Sequence, residues 1–413
     1  MNPVLMTWQP ASLQTHCACD KARCNGDVVI IPTKYAKEIY IRWNPTSIDE
    51  DLTSPSLQAE SYYRCLRRIL ENAGASMSQV VQERVFFRDV EEGHRAWDGA
   101  RRRAYGQAGV EADDLPVANC VGQPPCRLEQ AFEIQAYAVV PNSEDTANVS
   151  TIPAEGSRPA VKIVEFGEYR HLYTESIVGQ KPDGQIPTDF REQSDLMFQR
   201  ADDLLKHHGI PFKDVLRTWC YLVDIDGDYA EFNLSRNELF ERESVRRLPA
   251  STGICAGLPR GALCGFDLYT LINHEGAHIE VMHTPTLNEA GEYGSAFSRG
   301  MKLVLPEKTV LFISGTASVD EGGATVHLDD IRKQIERMLL NIEKLLEPHG
   351  ATFADMAQAM TYLKKRSYYE TFLDVWKDWG PEETPNSIVE AGVCRPDLLC
   401  EMEAIVILPT GRE

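Results

Sequence analysis

The sequence lacks any apolar run of about eighteen residues, the length that a membrane-spanning helix needs. Its first residues also lack the basic start and the apolar stretch of a secretory signal. Positive charge is scarce, because 42 Lys and Arg stand against 62 Asp and Glu for a formal net charge of −20. We therefore expect a cytoplasmic protein with no membrane partner. The negative charge also disfavours nucleic acid as a partner, since phosphate backbones would repel it.

A regular cysteine framework is missing as well. The eleven cysteines are an odd number spread along the chain, and several stand in apolar runs, which is typical of reduced core thiols. Cys17, Cys19 and Cys24 have a spacing that suits a metal with a fourth ligand such as His16, but a loosely packed N-terminal arm explains them more simply.

One segment resembles a metal motif. The sequence "HEGAH", His274 to His278, fits the zinc-protease pattern, which needs a helix that places both histidines on one face. Gly276 interrupts this segment, which directly follows a strand-like run. We therefore predict no metal at this segment, and no cofactor elsewhere.

What the sequence does contain is one pattern that occurs three times. A glycine ends an amphipathic helical stretch in each copy, as a left-handed C-cap does. A glutamine stands sixteen residues before each glycine, and an apolar residue stands thirteen residues after it. These anchors are Gln58, Gly74 and Phe87; Gln193, Gly209 and Leu222; and Gln334, Gly350 and Leu363.

Each copy is predicted to contain two opening strands, a helix, a strand, a second helix, a Pro-marked turn and a closing strand. The sequence therefore predicts an α+β fold of three tandem β-β-α-β-α-β modules. Modules are expected at residues 28–141, 160–273 and 295–413, after an N-terminal arm at 1–27 and with linkers at 142–159 and 274–294.

The third copy carries a family resemblance. "FISGTAS" (Phe312 to Ser318), the helix with Gln334 and Asn341, and "EMEAIVIL" (Glu401 to Leu408) resemble the RidA/YjgF family, whose modules have a chorismate-mutase-like fold and trimerise. The resemblance implies ligand pockets between neighbouring modules. Three modules on one chain would close the ring internally as a pseudo-trimer, so we expect a monomer or a loose dimer.

Residues 160–410 also resemble the chorismatase family. The segments that carry the likeness are, in order, Phe232 to Phe240, Tyr293 to Gly300, Ser314 to Ser318 and Val393 to Glu403. Chorismatases hydrolyse the enolpyruvyl ether of chorismate and release pyruvate without a metal or cofactor. The resemblance implies a hydrolase or lyase that acts on a small carboxylated metabolite. The first module is additional to the two-domain layout expected for that family. The short "YGSAFSR" also lacks the arginine-bearing insertion that is expected in chorismatases at this point.

Glu401 is the predicted catalytic acid or base, because a carboxyl at the start of a buried closing strand can have a raised pKa. The family resemblance implies the same role. The first copy repeats the pattern of cysteine, arginine and glutamate as Cys126, Arg127 and Glu133, whereas the second copy has Gly265 in place of the glutamate.

Arginines are the predicted substrate ligands, because a guanidinium offers paired donors to a carboxylate. The candidates are Arg395, Arg299 and Arg236. Cys394 is expected to shape the pocket, and the chorismatase resemblance adds Tyr293. Small residues at a strand end supply the remaining candidates, whose amides and hydroxyls suit an anion or a water: Ser314, Gly315 and Thr316.

Other functions stay open at this point. The arginine that clamps the substrate carboxylate in RidA-type imine deaminases falls on Asn386 in the third copy, on Ala118 in the first and on Ser251 in the second. This loss is compatible with a different substrate or with a noncatalytic, metabolite-binding regulatory protein. The endoribonuclease activity ascribed to some relatives is disfavoured by the net charge of −20.

Overall fold

The structure is a computed structural model that describes residues 26–43, 54–143, 146–156, 158–272, 275–288 and 296–409. Cys17, Cys19, Cys24, His274 and Tyr293 lie outside the described residues. Within them, no helix combines the length and the apolar content that crossing a membrane requires.

The first module forms one sheet of five strands, covered by two helices on one face. Its elements are β1 (Gly26–Pro32), β2 (Ala36–Trp43), α1 (Pro55–Asn72), β3 (Val80–Phe87), α2 (Val90–Gln107), β4 (Val117–Gly122) and β5 (Phe132–Pro141). The strand order is β1-β2-β5-β3-β4, and the β3–β4 pair is parallel. Ser54 caps α1 by accepting a hydrogen bond from the Leu57 amide.

The second module repeats this arrangement. Its elements are β6 (Ala147–Ile152), β7 (Val161–Phe166), β8 (Tyr169–Thr174), β9 (Ile177–Val178), α3 (Phe190–His207), β10 (Val215–Leu222), α4 (Ile225–Arg242), β11 (Ala250–Cys255) and β12 (Cys264–Ile272). The strand order is β11-β10-β12-β8-β7-β6, and β9 also pairs with β12.

The third module has the same topology again. Its elements are β13 (His278–Val281), β14 (Gly300–Val304), β15 (Lys308–Ala317), α5 (Ile331–Leu346), β16 (Met356–Leu363), α6 (Tyr369–Trp376), β17 (Asn386–Glu390) and β18 (Cys400–Pro409). The strand order is β13-β14-β15-β18-β16-β17.

The predicted α+β class with three repeated modules is confirmed. Gly74, Gly209 and Gly350 all have positive φ angles, as the predicted left-handed caps require. The structure adds a short strand, β4, β11 or β17, where each Pro-marked turn was expected. It also places β6 and β13 in the segments expected as linkers. These strands have four to six residues, too few for a clear alternation of apolar and polar side chains.

Backbone hydrogen bonds join all three pairs of modules. The Gly122 amide donates to the Gly257 carbonyl at 2.7 Å, between the first and second modules. The Glu390 amide donates to Pro124 at 2.8 Å, and the Cys255 amide donates to Gly392 at 2.9 Å. The ring is therefore closed within one chain, and the predicted intrachain pseudo-trimer is confirmed.

The centre of this ring is filled by aromatic side chains of all three modules. The ring centroids of Tyr137 and Tyr173 are 5.6 Å apart, and those of Tyr269 and Phe312 are 5.0 Å apart. Lys308 of the third module forms a buried ion pair with Glu38 of the first. Because these contacts cross module boundaries, the inner faces of the three sheets share one core.

Candidate active site

A cavity of about 470 Å³ lies between the second and third modules. The second module contributes one face of α4 and part of β11, and the third contributes the ends of β15 and β18 with the loop before β18. Its lining includes all four charged residues predicted for the site: Arg236, Arg299, Arg395 and Glu401. The structure thus brings together residues that are up to 165 positions apart in the sequence.

The Glu401 carboxyl is 4% exposed and stands on β18, opposite Ala317 of β15 and Tyr362 of β16. Burial raises its pKa to about 8, and the charge of Glu403 adds to this rise, while Arg217 and Arg299 oppose it. No ion pair joins Glu401 to a Lys or Arg among the described residues. The carboxyl is therefore protonated at neutral pH and can donate a proton.

The absence of a side chain at Gly315 leaves room for the Glu401 carboxyl. The β15–β18 pairing shifts register between Ile313 and Thr316, and this bulge places Gly315 against the carboxyl. A methyl group on Gly315 would overlap Oε1 of Glu401. The Gly315 amide donates to Oγ1 of Thr252 at 3.0 Å, which fixes the bulge to the second module.

Three arginines surround the cavity. The guanidinium of Arg236 is buried and donates to Oδ1 of Asn233 at 2.5 Å, while its Nε has no hydrogen-bond partner among the described residues. Arg299 donates from Nε to the Asn288 carbonyl at 2.8 Å and from a terminal nitrogen to Oδ1 of Asn288 at 3.0 Å. Arg395 donates to the Gly323 carbonyl at 2.6 Å. This arrangement suits an anionic ligand.

The other predicted residues differ in their placement. Cys394 lines the cavity, and burial, with the nearby Glu401, raises the pKa of its thiol to about 12, so the sulfur is not a thiolate at neutral pH. Ser314 and Thr316 are buried and do not line the cavity. The Ser314 hydroxyl donates to the Ser298 carbonyl at 2.6 Å, and that of Thr316 donates to the Ser314 carbonyl at 2.9 Å. Their hydroxyls are thus used within the protein.

Sequence reasoning missed the wall that α4 provides. Asp226, Tyr229, Asn233 and Arg236 all line the cavity. They follow one another at steps of three and four, which is the signature of a single helix face. That spacing could have been found from Arg236 outwards, since the family resemblance already implied pockets between neighbouring modules.

At the interface between the third and first modules, the position that corresponds to Glu401 is occupied by an ion pair. Glu133 of β5 accepts a hydrogen bond from Nε of Arg42 at 2.5 Å and one from Ser387 at 3.0 Å. Arg42 stands on β2, the strand equivalent to β15, in the register position of the Gly315 bulge. An arginine thus pairs with the carboxylate where the third module has the Ser314–Gly315 bulge. The interface between the first and second modules has no such carboxylate, because Gly265 replaces it.

The described part of the "HEGAH" segment, residues 275–278, forms no helix. His278 begins strand β13, and its Nε2 lies 3.0 Å from Oε2 of Glu280, with both side chains exposed to solvent. Among the described residues, no cluster of three His, Cys, Asp or Glu side chains is arranged to hold a metal ion.

Comparison with known proteins agrees with this architecture. The family described as Endoribonuclease L-PSP matches residues 169–264 and 293–408, which together make up just over half of the chain. The chain belongs to this family. A RutC family protein of Pyrococcus abyssi is 30% identical to this L-PSP-family chain over 96 residues, which cover 23% of the chain and 76% of that protein.

A chorismatase of Streptomyces rapamycinicus is 26% identical to the L-PSP-family chain over 231 residues, which cover 49% of the chain and 66% of that protein, just under two thirds of its length. A crystal structure of a chorismatase superposes with a TM-score of 0.60 at 17% identity, covering 90% of this chain and 99% of that one. This likeness shows the fold. The match is too extensive to leave out the first module, so this module is not an addition relative to that structure.

Proposed function

We propose that this protein is a chorismatase-type hydrolase that cleaves the enolpyruvyl ether of a small carboxylated metabolite, with Glu401 as the general acid. One observation carries the proposal. A buried carboxyl, protonated at neutral pH, faces a cavity that three arginines line. The cavity of about 470 Å³ has the size of small-metabolite sites. The sequence similarity to a chorismatase supports the same reaction class.

The reaction begins with proton transfer. Glu401 donates its proton to the terminal methylene carbon of the enolpyruvyl group, which forms a C–H bond and leaves an oxocarbenium ion. Water adds to the cationic carbon and returns a proton to the Glu401 carboxylate. The resulting hemiketal then breaks its C–O bond to the rest of the substrate. The products are pyruvate and an alcohol, and the acid is regenerated without a metal or cofactor.

The arginines are proposed to bind the carboxylates of the substrate. Asn288 holds Arg299 through two hydrogen bonds, so its guanidinium is fixed before a ligand arrives. Arg236 of α4 lines the cavity, where its guanidinium can meet an anionic group of a ligand. The separation of these two arginines across the module interface favours a substrate with more than one anionic group.

An imine deaminase has less support. Asn386, which replaces the clamping arginine of RidA-type deaminases in the third module, is buried, and its Oδ1 accepts a hydrogen bond from Thr361 at 3.0 Å. No described arginine side chain occupies that position, because the equivalent residues of the other modules are Ala118 and Ser251. Deamination of an imino acid would therefore need another carboxylate clamp.

The test is to incubate the protein with chorismate and to measure pyruvate release. We expect turnover that Glu401→Gln abolishes and that falls as the pH rises through about 8, because only the protonated acid can donate. Glu133→Gln is the matched control, since it changes the equivalent glutamate at the interface that Arg42 fills. The control should keep its turnover.

Full turnover by Glu401→Gln would refute the assigned mechanism. If the protein releases no pyruvate but chorismate raises its melting temperature and is recovered unchanged, the hydrolase proposal fails for this substrate and the binding role gains support.

A further inference from the structure

Glu403 is a junction between all three modules. It stands on β18, two residues after Glu401, and is 3% exposed. Its Oε1 lies 2.9 Å from a guanidinium nitrogen of Arg84, which comes from β3 of the first module. Its Oε2 lies 2.7 Å from Arg217 of β10, and the Trp219 indole donates to Oε1 at 2.8 Å.

This junction continues to the active site. The Arg217 guanidinium also donates to Oγ1 of Thr252 at 2.6 Å, and the same oxygen accepts the amide hydrogen of Gly315. Gly315 in turn packs against the Glu401 carboxyl. The first module therefore reaches the site between the second and third modules through Arg84 and Glu403, although none of its described residues lines the cavity.

The charges at this junction act on Glu401. Burial raises the pKa of Glu403, but Arg84 and Arg217 outweigh it and hold that pKa below its usual value, so Glu403 is ionised. An ionised carboxylate two residues away on the same strand face disfavours ionisation of Glu401. The other charged groups around Glu401 are Arg217 of β10, Arg299 before β14, Arg395 before β18, and Asp226 and Arg236 of α4.

We propose that Arg84 of the first module is a positioning residue that, by neutralising Glu403, controls how readily Glu401 gives up its proton. The relevance to catalysis rests on the proposed function of Glu401, whereas the electrostatic link itself does not. The first module, whose own glutamate is paired with Arg42, would then contribute to the chemistry of a site that it does not line.

Two substitutions separate this role from a merely structural one. Arg84→Met removes one positive partner of Glu403, so the uncompensated negative charge should raise the pKa of Glu401. Glu403→Gln removes the negative charge and leaves Arg84 and Arg217, so it should lower the pKa of Glu401. Both variants lose a buried ion pair and should be less stable. A purely structural role therefore predicts that the two variants change in the same way. The electrostatic role predicts that the pKa of Glu401 shifts in opposite directions in the two variants.

The measurement is a pH titration of the Glu401 carboxyl by infrared difference spectroscopy, with the signal assigned by its loss in Glu401→Gln. We expect the midpoint to move by about one pH unit upward in Arg84→Met and downward in Glu403→Gln. Arg84→Lys should restore the midpoint if it folds as the wild type does, since it keeps the charge. Arg42→Met is the matched control, because it breaks another buried arginine pair of the first module at a different interface.

Unchanged midpoints in Arg84→Met and Glu403→Gln, or shifts in the same direction, would overturn the inference. The titration uses no substrate, so it is independent of the pyruvate assay. If the midpoints shift in opposite directions but the protein does not turn over chorismate, the role of Arg84 is supported and only the proposed hydrolase function is rejected. Turnover that needs Glu401, together with unmoved midpoints, would reject only the role of Arg84.

Discussion

At the scale of single residues, the side chain in contact with the closing-strand glutamate decides what that carboxylate does. Gly315 leaves the Glu401 carboxyl unpaired beside a cavity. Arg42 holds the Glu133 carboxylate in a buried ion pair, so this carboxylate already has a partner. The same backbone framework thus carries an acid at one interface and a salt bridge at another.

Gly315→Ala tests this assignment. The new methyl group would overlap Oε1 of Glu401 and press on Thr252, so the carboxyl would have to move from its position. Because a misplacement of about 1 Å can lower a rate roughly 100-fold, we expect turnover of the pyruvate-releasing reaction to fall by about that factor. Steady-state kinetics with chorismate would measure it, and thermal unfolding would check the fold.

Gly253→Ala is the matched control for this substitution. Gly253 lines the same cavity, but a methyl group there would meet the Tyr229 ring at 3.5 Å, which is ordinary van der Waals contact. We expect at most a few-fold change in rate. Equal losses in both variants would mean that the cavity tolerates no added volume and that the clash with Glu401 is not the cause.

Much of the site chemistry could be predicted from the sequence, because Glu401, Arg395 and Cys394 lie within eight residues of one another. Arg42 could not, since it stands 91 residues before its partner Glu133 and only strand pairing brings the two together. The same reason hid the contact of Arg84 with Glu403, which spans 319 residues. Ionic partners that are far apart in the sequence leave no local pattern.

At the scale of secondary-structure elements, the pair of Arg42 and Glu133 braces two strands of the first module at its interface with the third. Arg42 lies on β2, Glu133 on β5, and Ser387 of β17 completes the contact. The side chain of Glu133 is 1% exposed and that of Arg42 is 10% exposed, so loss of one partner leaves a buried charge. Such a charge is costly because the protein interior solvates it poorly.

Arg42→Met should therefore lower the free energy of unfolding by about 3–5 kcal/mol. The double variant Arg42→Met with Glu133→Gln should recover part of this loss, because it removes the stranded carboxylate as well. Urea denaturation would measure both. Arg102→Ala is the control: its exposed pair with Asp98 at 2.9 Å should contribute less than about 1 kcal/mol. Equal effects at the two arginines would contradict the assigned brace.

The helices α1, α3 and α5 were the most predictable elements, because each carries an apolar stripe and is followed by a left-handed glycine. Strands β4, β11 and β17 escaped prediction for a physical reason. Each is short, follows a proline-containing turn and is stabilised by parallel pairing with β3, β10 or β16 rather than by its own pattern. Pairing of that kind is a property of the assembled sheet.

At the scale of the whole molecule, the ring is complete within one chain. Backbone hydrogen bonds join every pair of modules, and the inner sheet faces already bury one another. We therefore expect one chain, or at most a loose dimer, in solution. Light scattering coupled to size-exclusion chromatography would measure the mass. A stable assembly of three chains would contradict this prediction.

Covalent linkage of the modules has a consequence for symmetry. In a ring of three identical subunits, any substitution appears at every interface, so an arginine that closes one pocket closes all three. Here Gly315 of one interface and Arg42 of another are different positions of the same chain, so each can change independently. A change that reinforces one interface therefore leaves the reacting groups of another untouched. Stability and chemistry can be adjusted at different places, which a symmetric trimer cannot do.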